Sequence, residues 1–355
     1  MRAMNRWVSD EEIEVSKEQA RRGGVGRKHH HVPEMYLKRW AVGGKVQLTV
    51  VATGATYPQN PSDIAREVNL YRIAASDVDR ELPALWFEKH TSRIESEAAS
   101  WFRTLDQHPD GRVTSDRLID DMAVFVSLQS QRTLKRRQGE LNLDEALDRF
   151  GRREVLSSML PIVCAVKRIP YEPWRHEEQV EEFLKVPLIS SEAKPRAIES
   201  SIGVWKNDAY LHFRDERSWW LFSTDDPIAT CDEPVVFLGG PERDRSRPPS
   251  WMQSPIVVYP IAPHRVLVLA RRSKVLPGPF VLSAAEAHQV NYEIAGGSLE
   301  FMYERPGDGI AASVSVPPHP HFDPMQAGSF AEVVSPPQRW ASGEGPDWAV
   351  SRWYR

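Results

Sequence analysis

Three residues far apart in the chain carry side chains suited to a reaction centre. His30 bears an imidazole, whose ordinary pKa lets it act as acid and as base near neutral pH. It stands close to Lys28 and just ahead of Pro33. Arg132 closes a long helical pattern, and its planar five-donor guanidinium fits phosphate or carboxylate. Asp232 follows the β-rich Ile228-Ala229-Thr230 and precedes Glu233-Pro234, so it sits at a strand end where a carboxylate can face a cleft. There it can orient a histidine, act as a base or hold a divalent metal. Gln131, Asn291 and Lys28 are polar neighbours suited to binding substrate. Each has a plainer reading. His30 can be bonded to backbone or solvated. Asp232 can close an Asx-turn on its own backbone. Arg132 can pair with Glu88, Glu95 or Glu97, or be solvated alongside Lys135, Arg136 and Arg137. Asn291 can be a helix-interior amide serving a neighbouring strand. Tyr36 and Trp40, four apart, read as core anchors.

The elements that must position these residues change character along the chain. Ser9-x-x-Glu12 is a capping box that opens a charged helix to about Arg22. Pro33 suits the first turn of a short helix, 34–40, and 46–51 reads as a strand. Leu82, Leu85, Trp86, Ile94, Ala98, Trp101, Phe102 and Leu105 fall at helical spacing. Thr114 or Ser115 caps a further helix that turns Leu118, Met122, Phe125 and Val126 inward and runs out in the basic residues 132–137. Residues 142–166 form one or two more helices, stopped by Pro170 and Pro173. From about Ser218 the period falls toward two, giving short strands at 219–222, 228–230, 235–238, 256–259, 265–269 and 299–303. Ser283 with Glu286 caps a helix over 283–294. The fold class expected is α+β: N-terminal and central helices, then a mostly antiparallel sheet region and an irregular C-terminal tail. The units are an N-terminal helix (1–24), a single domain (25–305, helical over about 76–185 and sheet over about 200–305) and a Pro-, Gly- and Trp-containing tail (306–355).

Composition narrows the classes. Lys+Arg 45 against Asp+Glu 49 leaves a net charge of −4, which argues against a strongly cationic nucleic-acid coat but not against a local basic site. Two cysteines, Cys164 and Cys231, cannot build a disulfide framework or a Cys-rich zinc module. No apolar segment follows the N-terminal charges as a secretory signal would require. The longest apolar stretches, 155–166 and 255–270, are broken by polar residues and fall short of the ~20 residues of a spanning helix. A cytoplasmic protein with no membrane partner is expected. No phosphate-binding G-x-x-x-x-G-K-[ST], dinucleotide-binding G-x-G-x-x-G or nucleophile-elbow G-x-S-x-G is present in a suitable context.

The segment His30-x-Val32-Pro33-x-x-Tyr36-Leu37-x-x-Trp40-Ala41 resembles the opening signature of a large bacterial family, domain of unknown function 4238. Gln131-Arg132-Thr133 is similar to that family's central element, and Thr230-Cys231-Asp232-Glu233-Pro234-Val235 to its Thr-Ser-Asp-x-Pro-Val strand and turn. Tyr259-Pro260-Ile261 and Asn291 fit further positions. His31 departs from the usual Tyr and Cys231 from the usual Ser. The resemblance covers roughly residues 25–305. It implies one fold unit with a shared site and brings no established activity. The expectation is a hydrolase or nuclease-like effector acting on a phosphate-containing substrate, small molecule or nucleic acid. His30 would be acid or base, Arg132 the anion holder, and Asp232 the orienting or metal-binding carboxylate. The alternative is a non-catalytic module that binds an anion or a partner.

Overall fold

From Arg217 onward the alternating apolar side chains do what a period of two dictates when both faces of a sheet are covered: they divide between two cores. The computed structural model describes residues 5–22, 28–68, 86–167, 169–186, 193–246, 249–334, 336–341 and 345–355. The expected Leu82 and Leu85, residues 23–27 and the side chain of Lys28 lie outside the described residues.

In chain order the first half holds α1 (Asp10–Arg21), β1 (Lys28–His30), α2 (Glu34–Leu37), β2 (Val46–Val50), β3 (Thr56–Gln59), β4 (Arg66–Val68), α3 (Trp86–Gln107), β5 (Gly111–Arg112) and α4 (Asp116–Gln131). Next come α5 (Leu134–Phe150), α6 (Arg152–Lys167), α7 (His176–Leu184), α8 (Ala193–Val204) and α9 (Tyr210–Asp215), the last two joined by a π-helical turn. The second half holds β6 (Arg217–Thr224), β7 (Thr230–Cys231), β8 (Val236–Leu238), β9 (Ile256–Ala262), β10 (Arg265–Arg271), β11 (Val281–Leu282), α10 (Ala284–Gly297), β12 (Phe301–Glu304), α11 (Ile310–Ser313) and α12 (Phe330–Val334). The fold is α+β.

The main sheet has the order β11-β6-β10-β9-β8, with β5 also on β6; β11 alone pairs in parallel. Along β6, Trp219 and Leu221 face a core shared with α3, α4 and α9, while Trp220 and Phe222 face a second core under α10. β9 and β10 divide the same way: Tyr259 and Leu267 enter the first core, Val258 and Val268 the second. A second sheet, β3-β2-β12-β7, is antiparallel, and β1 pairs with β4 as a separate ladder. Thus β2, from the N-terminal part, stands beside β12, from the end of the expected domain.

Two sequence readings are corrected at this level. The helix of Leu118 does not run on into the basic residues: it stops at Gln131, and Thr133 caps a new helix, α5. The C-terminal tail is irregular as expected, yet it is packed. Ala349, Val350 and Trp353 are at most 1% exposed in the second core. Ser9 caps α1 through the Glu12 N–H, but the return bond of a capping box is not made, because Glu12 pairs with Arg93 at 2.5 Å. Among the described residues no helix is long and apolar enough to cross a membrane.

Candidate functional site

The corner between α4 and α5 is where separate parts of the chain meet. Ending α4 at Gln131 turns the Arg132 side chain inward, where 1% of it is exposed. Its Nη1 donates to Glu95 Oε1 of α3 at 2.6 Å, and its Nε to Gln129 Oε1 at 3.0 Å. Gln129 in turn donates to the His31 carbonyl at 2.9 Å, so the guanidinium is fixed against the segment that carries the histidines. That segment is set by the β1–β4 ladder, which places His30 opposite Arg66, and by a His31 N–H bond to Ala65 O at 2.9 Å.

His30 is half-buried. Burial lowers its pKa, Glu95 and Glu34 pull it up, and Arg132 and Arg66 push it down. His31 is 3% exposed, and burial reinforced by Arg132 drops its pKa to about 3, so it is neutral at all ordinary pH. Glu88 lies two helical turns before Glu95 on α3. Burial, with repulsion from Glu95, raises its carboxyl to about 7, against the pull of Arg132. His30, Glu88, Glu95 and Arg132 therefore form one electrostatic group drawn from three segments. Of the plainer readings of Arg132, the pair with Glu95 is the one it makes.

Asp232 belongs to a different arrangement. It is 1% exposed, and its two oxygens accept three backbone N–H groups, Leu299 at 2.8 Å, Glu300 at 2.7 Å and Phe301 at 2.9 Å. This ties the end of β7 to the start of β12 rather than closing an Asx-turn. Arg339 of the tail donates to the carbonyls of Ser298 (3.0 Å) and Leu299 (3.2 Å), and His319 bonds Ser298 O at 3.1 Å, so the tail covers the same strand start. Burial raises Asp232 to about 6 in spite of its three donors. Both Asp232 oxygens are thus engaged by backbone donors. Among the described residues no three His, Cys, Asp or Glu side chains are grouped to hold a metal ion. Its neighbour Glu233 does reach the α4–α5 corner, accepting the Lys135 N–H at 2.9 Å in the first turn of α5.

A cavity of about 170 Å³ lies elsewhere. It opens at the N-terminal end of α4 and is walled by Arg112, Arg214, Arg217 and Arg272. None of His30, Arg132 or Asp232 lines it. Sixteen residues of α4 separate it from Arg132, about 24 Å at 1.5 Å per residue.

The family model described as a protein of unknown function, DUF4238, matches residues 28–308. The chain belongs to the DUF4238 family. Comparison with curated proteins and with solved structures gave no match. The DUF4238 match begins at β1 and ends just after β12. It contains the whole α4–α5 corner and leaves out α1 and the C-terminal strap. Both outlying parts are nonetheless bonded to the matched body: Arg93 to Glu12 at one end and Arg339 to Ser298 at the other.

The remaining expected site residues within the DUF4238 segment have definite places. Asn291 is 5% exposed; its Oδ1 accepts the Ala229 N–H and its Nδ2 donates to Pro227 O, both at 2.9 Å, so it serves the chain entering β7. Gln131 is 4% exposed and donates to Ser130 Oγ at 3.1 Å. Tyr36 bonds Thr230 Oγ1 and Pro260 O, and Trp40 bonds Ile228 O, as core anchors. Glu88 and Glu95, seven apart on one helix face, enter the sequence reading only as salt-bridge partners of Arg132, and the structure adds them to its surroundings.

Proposed function

We propose that the chain is a hydrolase acting on a phosphate-containing substrate, with its chemistry at the group formed by His30, Glu88, Glu95 and Arg132. The observation that carries this reading is the convergence of an imidazole, two carboxyls and a guanidinium from β1, α3 and the α4–α5 corner. An apolar core has no need of such a group, and environments that push protonation states apart accompany acid–base work. In this reading His30, biased toward its neutral form, takes a proton from the attacking water. Glu88, with its carboxyl near 7, gives one to the leaving oxygen. Arg132, oriented by Glu95 and Gln129, supplies positive potential for the anionic group. Asp232 is a positioning residue that holds β7 against β12.

The test is a panel of phosphomonoesters, nucleotides and nucleic acids, with and without Mg²⁺ or Mn²⁺, comparing wild type with His30→Ala and Glu88→Gln. Loss of at least 100-fold in turnover in both variants, with unchanged folding, is expected for groups that transfer protons. Equal turnover in all three proteins removes the catalytic assignment. One observation favours a binding module instead: a cavity at the far end of α4, apart from the His30 group, is lined by Arg112, Arg214, Arg217 and Arg272.

A further inference from the structure

The cavity at the start of α4 is cationic by construction. The strand β5 lies on β6, with Arg112 opposite Trp220 and the Val113 N–H bonded to Trp219 O at 2.9 Å, which holds Arg112 and Thr114 on one wall. Arg214 and Arg217 come from the corner between α9 and β6, and Arg272 from the turn after β10. Four arginines and one carboxylate, Asp116, are thus among the lining residues. Arg214 is partly neutralised by Asp120 at 2.8 Å. Arg217 donates to uncharged acceptors, Ser254 O at 2.7 Å, Trp251 O at 2.8 Å and the His212 ring at 3.1 Å, and Glu216 is the carboxylate that acts on it. Burial and Arg271 lower its pKa only to about 10, so it stays charged at pH 7. Arg272 donates to a carbonyl, Asp215 O at 2.7 Å, and the Arg112 guanidinium sits 5.8 Å from the Trp220 ring centre. The first turn of α4, capped by Ser115, adds the positive end of a sixteen-residue helix. The volume, about 170 Å³, is below the ~300 Å³ at which drug-sized ligands begin.

We propose that this cavity binds a small phosphate dianion, either inorganic phosphate or the phosphate end of a monoester, at a site separate from the His30 group. Titration calorimetry of the full chain with inorganic phosphate and with phenyl phosphate, at low salt, tests it. Saturable binding is expected, weakened at least tenfold in the double variant Arg112→Ala, Arg272→Ala, whose two side chains are exposed and whose loss leaves the fold intact by circular dichroism. The His30→Ala variant is expected to bind as wild type does, which separates this site from the proposed hydrolytic one. Tighter binding of phenyl phosphate assigns the monoester, and equal or weaker binding assigns the inorganic ion. No saturable binding of either probe to wild type, or equal binding by the double variant, overturns the proposal.

Discussion

Arg132 owes its position to two acceptors, Glu95 and Gln129, and almost none of its side chain meets water. Removing one member of a buried pair leaves a charge without its partner, which costs about 3–5 kcal/mol. Glu95 keeps 23% exposure, so Arg132→Ala is expected at the low end, about 3 kcal/mol, read as a shift of the urea midpoint at unchanged slope. A shift smaller than ~1 kcal/mol would mean the guanidinium is not buried as described. Asp232 makes a sharper case. In Asp232→Asn one oxygen becomes an NH2 group, which then confronts backbone donors instead of accepting from them. A loss of about 2–3 kcal/mol follows. A catalytic carboxylate would instead lose turnover at full stability, so thermal unfolding and activity measured together separate the two roles. The residue types of the site are legible in the sequence, as is Glu95 among the partners open to Arg132, but the partners of the carboxylates after β7 are not. Asp232 and Glu233 are adjacent and chemically alike. Which one meets β12 and which one meets α5 depends on the direction of the chain leaving β7, a tertiary fact that no local pattern encodes.

At the scale of elements, the break between α4 and α5 is the feature on which the site turns. Helical spacing runs smoothly through residues 118–137, because basic residues fit a helix end and a helix start equally well. The structural signal was Thr133, whose Oγ1 accepts the Arg136 N–H at 3.4 Å as the N-cap of α5. Thr133→Ala is expected to cost about 1 kcal/mol through loss of the cap, lowering the melting temperature by a few degrees without touching the His30 side of the corner. An unchanged melting temperature would show that the bond contributes nothing. The long strands were readable because Trp219–Phe222, Ile256–Tyr259 and Arg265–Leu269 are β-rich over four or more residues. β5 and β11 are two residues each, too short for any period, and they exist only because β6 offers them an edge. The division of alternate residues between two cores was also hidden, since a strand buried on both faces shows one apolar run.

The whole molecule is closed by its C-terminal strap. The ring of Trp340 lies where a Cβ on Gly296 would come within 2.4 Å, and that of Trp348 where one on Gly239 would come within 2.6 Å, so these two glycines are the seats of the two tryptophans. Between them Arg245 and Glu293, 3% and 4% exposed, pair at 2.5 Å, and the strap supplies the Pro346 and Asp347 carbonyls to one and the Ala349 N–H to the other. Buried titratable groups then govern stability against pH in two opposed ways. His31, His90 and His319, ordinarily near 6.5, sit at about 3, 4 and 4 when folded. The unfolded chain takes protons that the folded one refuses, so the stability they contribute is present above about pH 6.5 and is lost as pH falls toward those folded values. Asp232, Glu88 and Glu233 behave in reverse, with folded values of about 6, 7 and 8. Their contribution is full below about pH 4.5 and is lost as pH rises through the folded values. Between pH 4.5 and 6 the two sets nearly cancel, so stability is expected to peak near ~6 and to fall on both sides. Glu233 owes its shift first to burial and then to Asp232, while Thr133 and Lys135 oppose it. Glu233→Gln keeps an oxygen for the Lys135 N–H and removes the ionisation. Its melting temperature is expected to fall less than that of wild type between pH 6 and 8.5, with the two curves parallel only below about pH 4. Parallel curves across the whole alkaline side would show that Glu233 ionises as freely in the folded protein as in the unfolded chain.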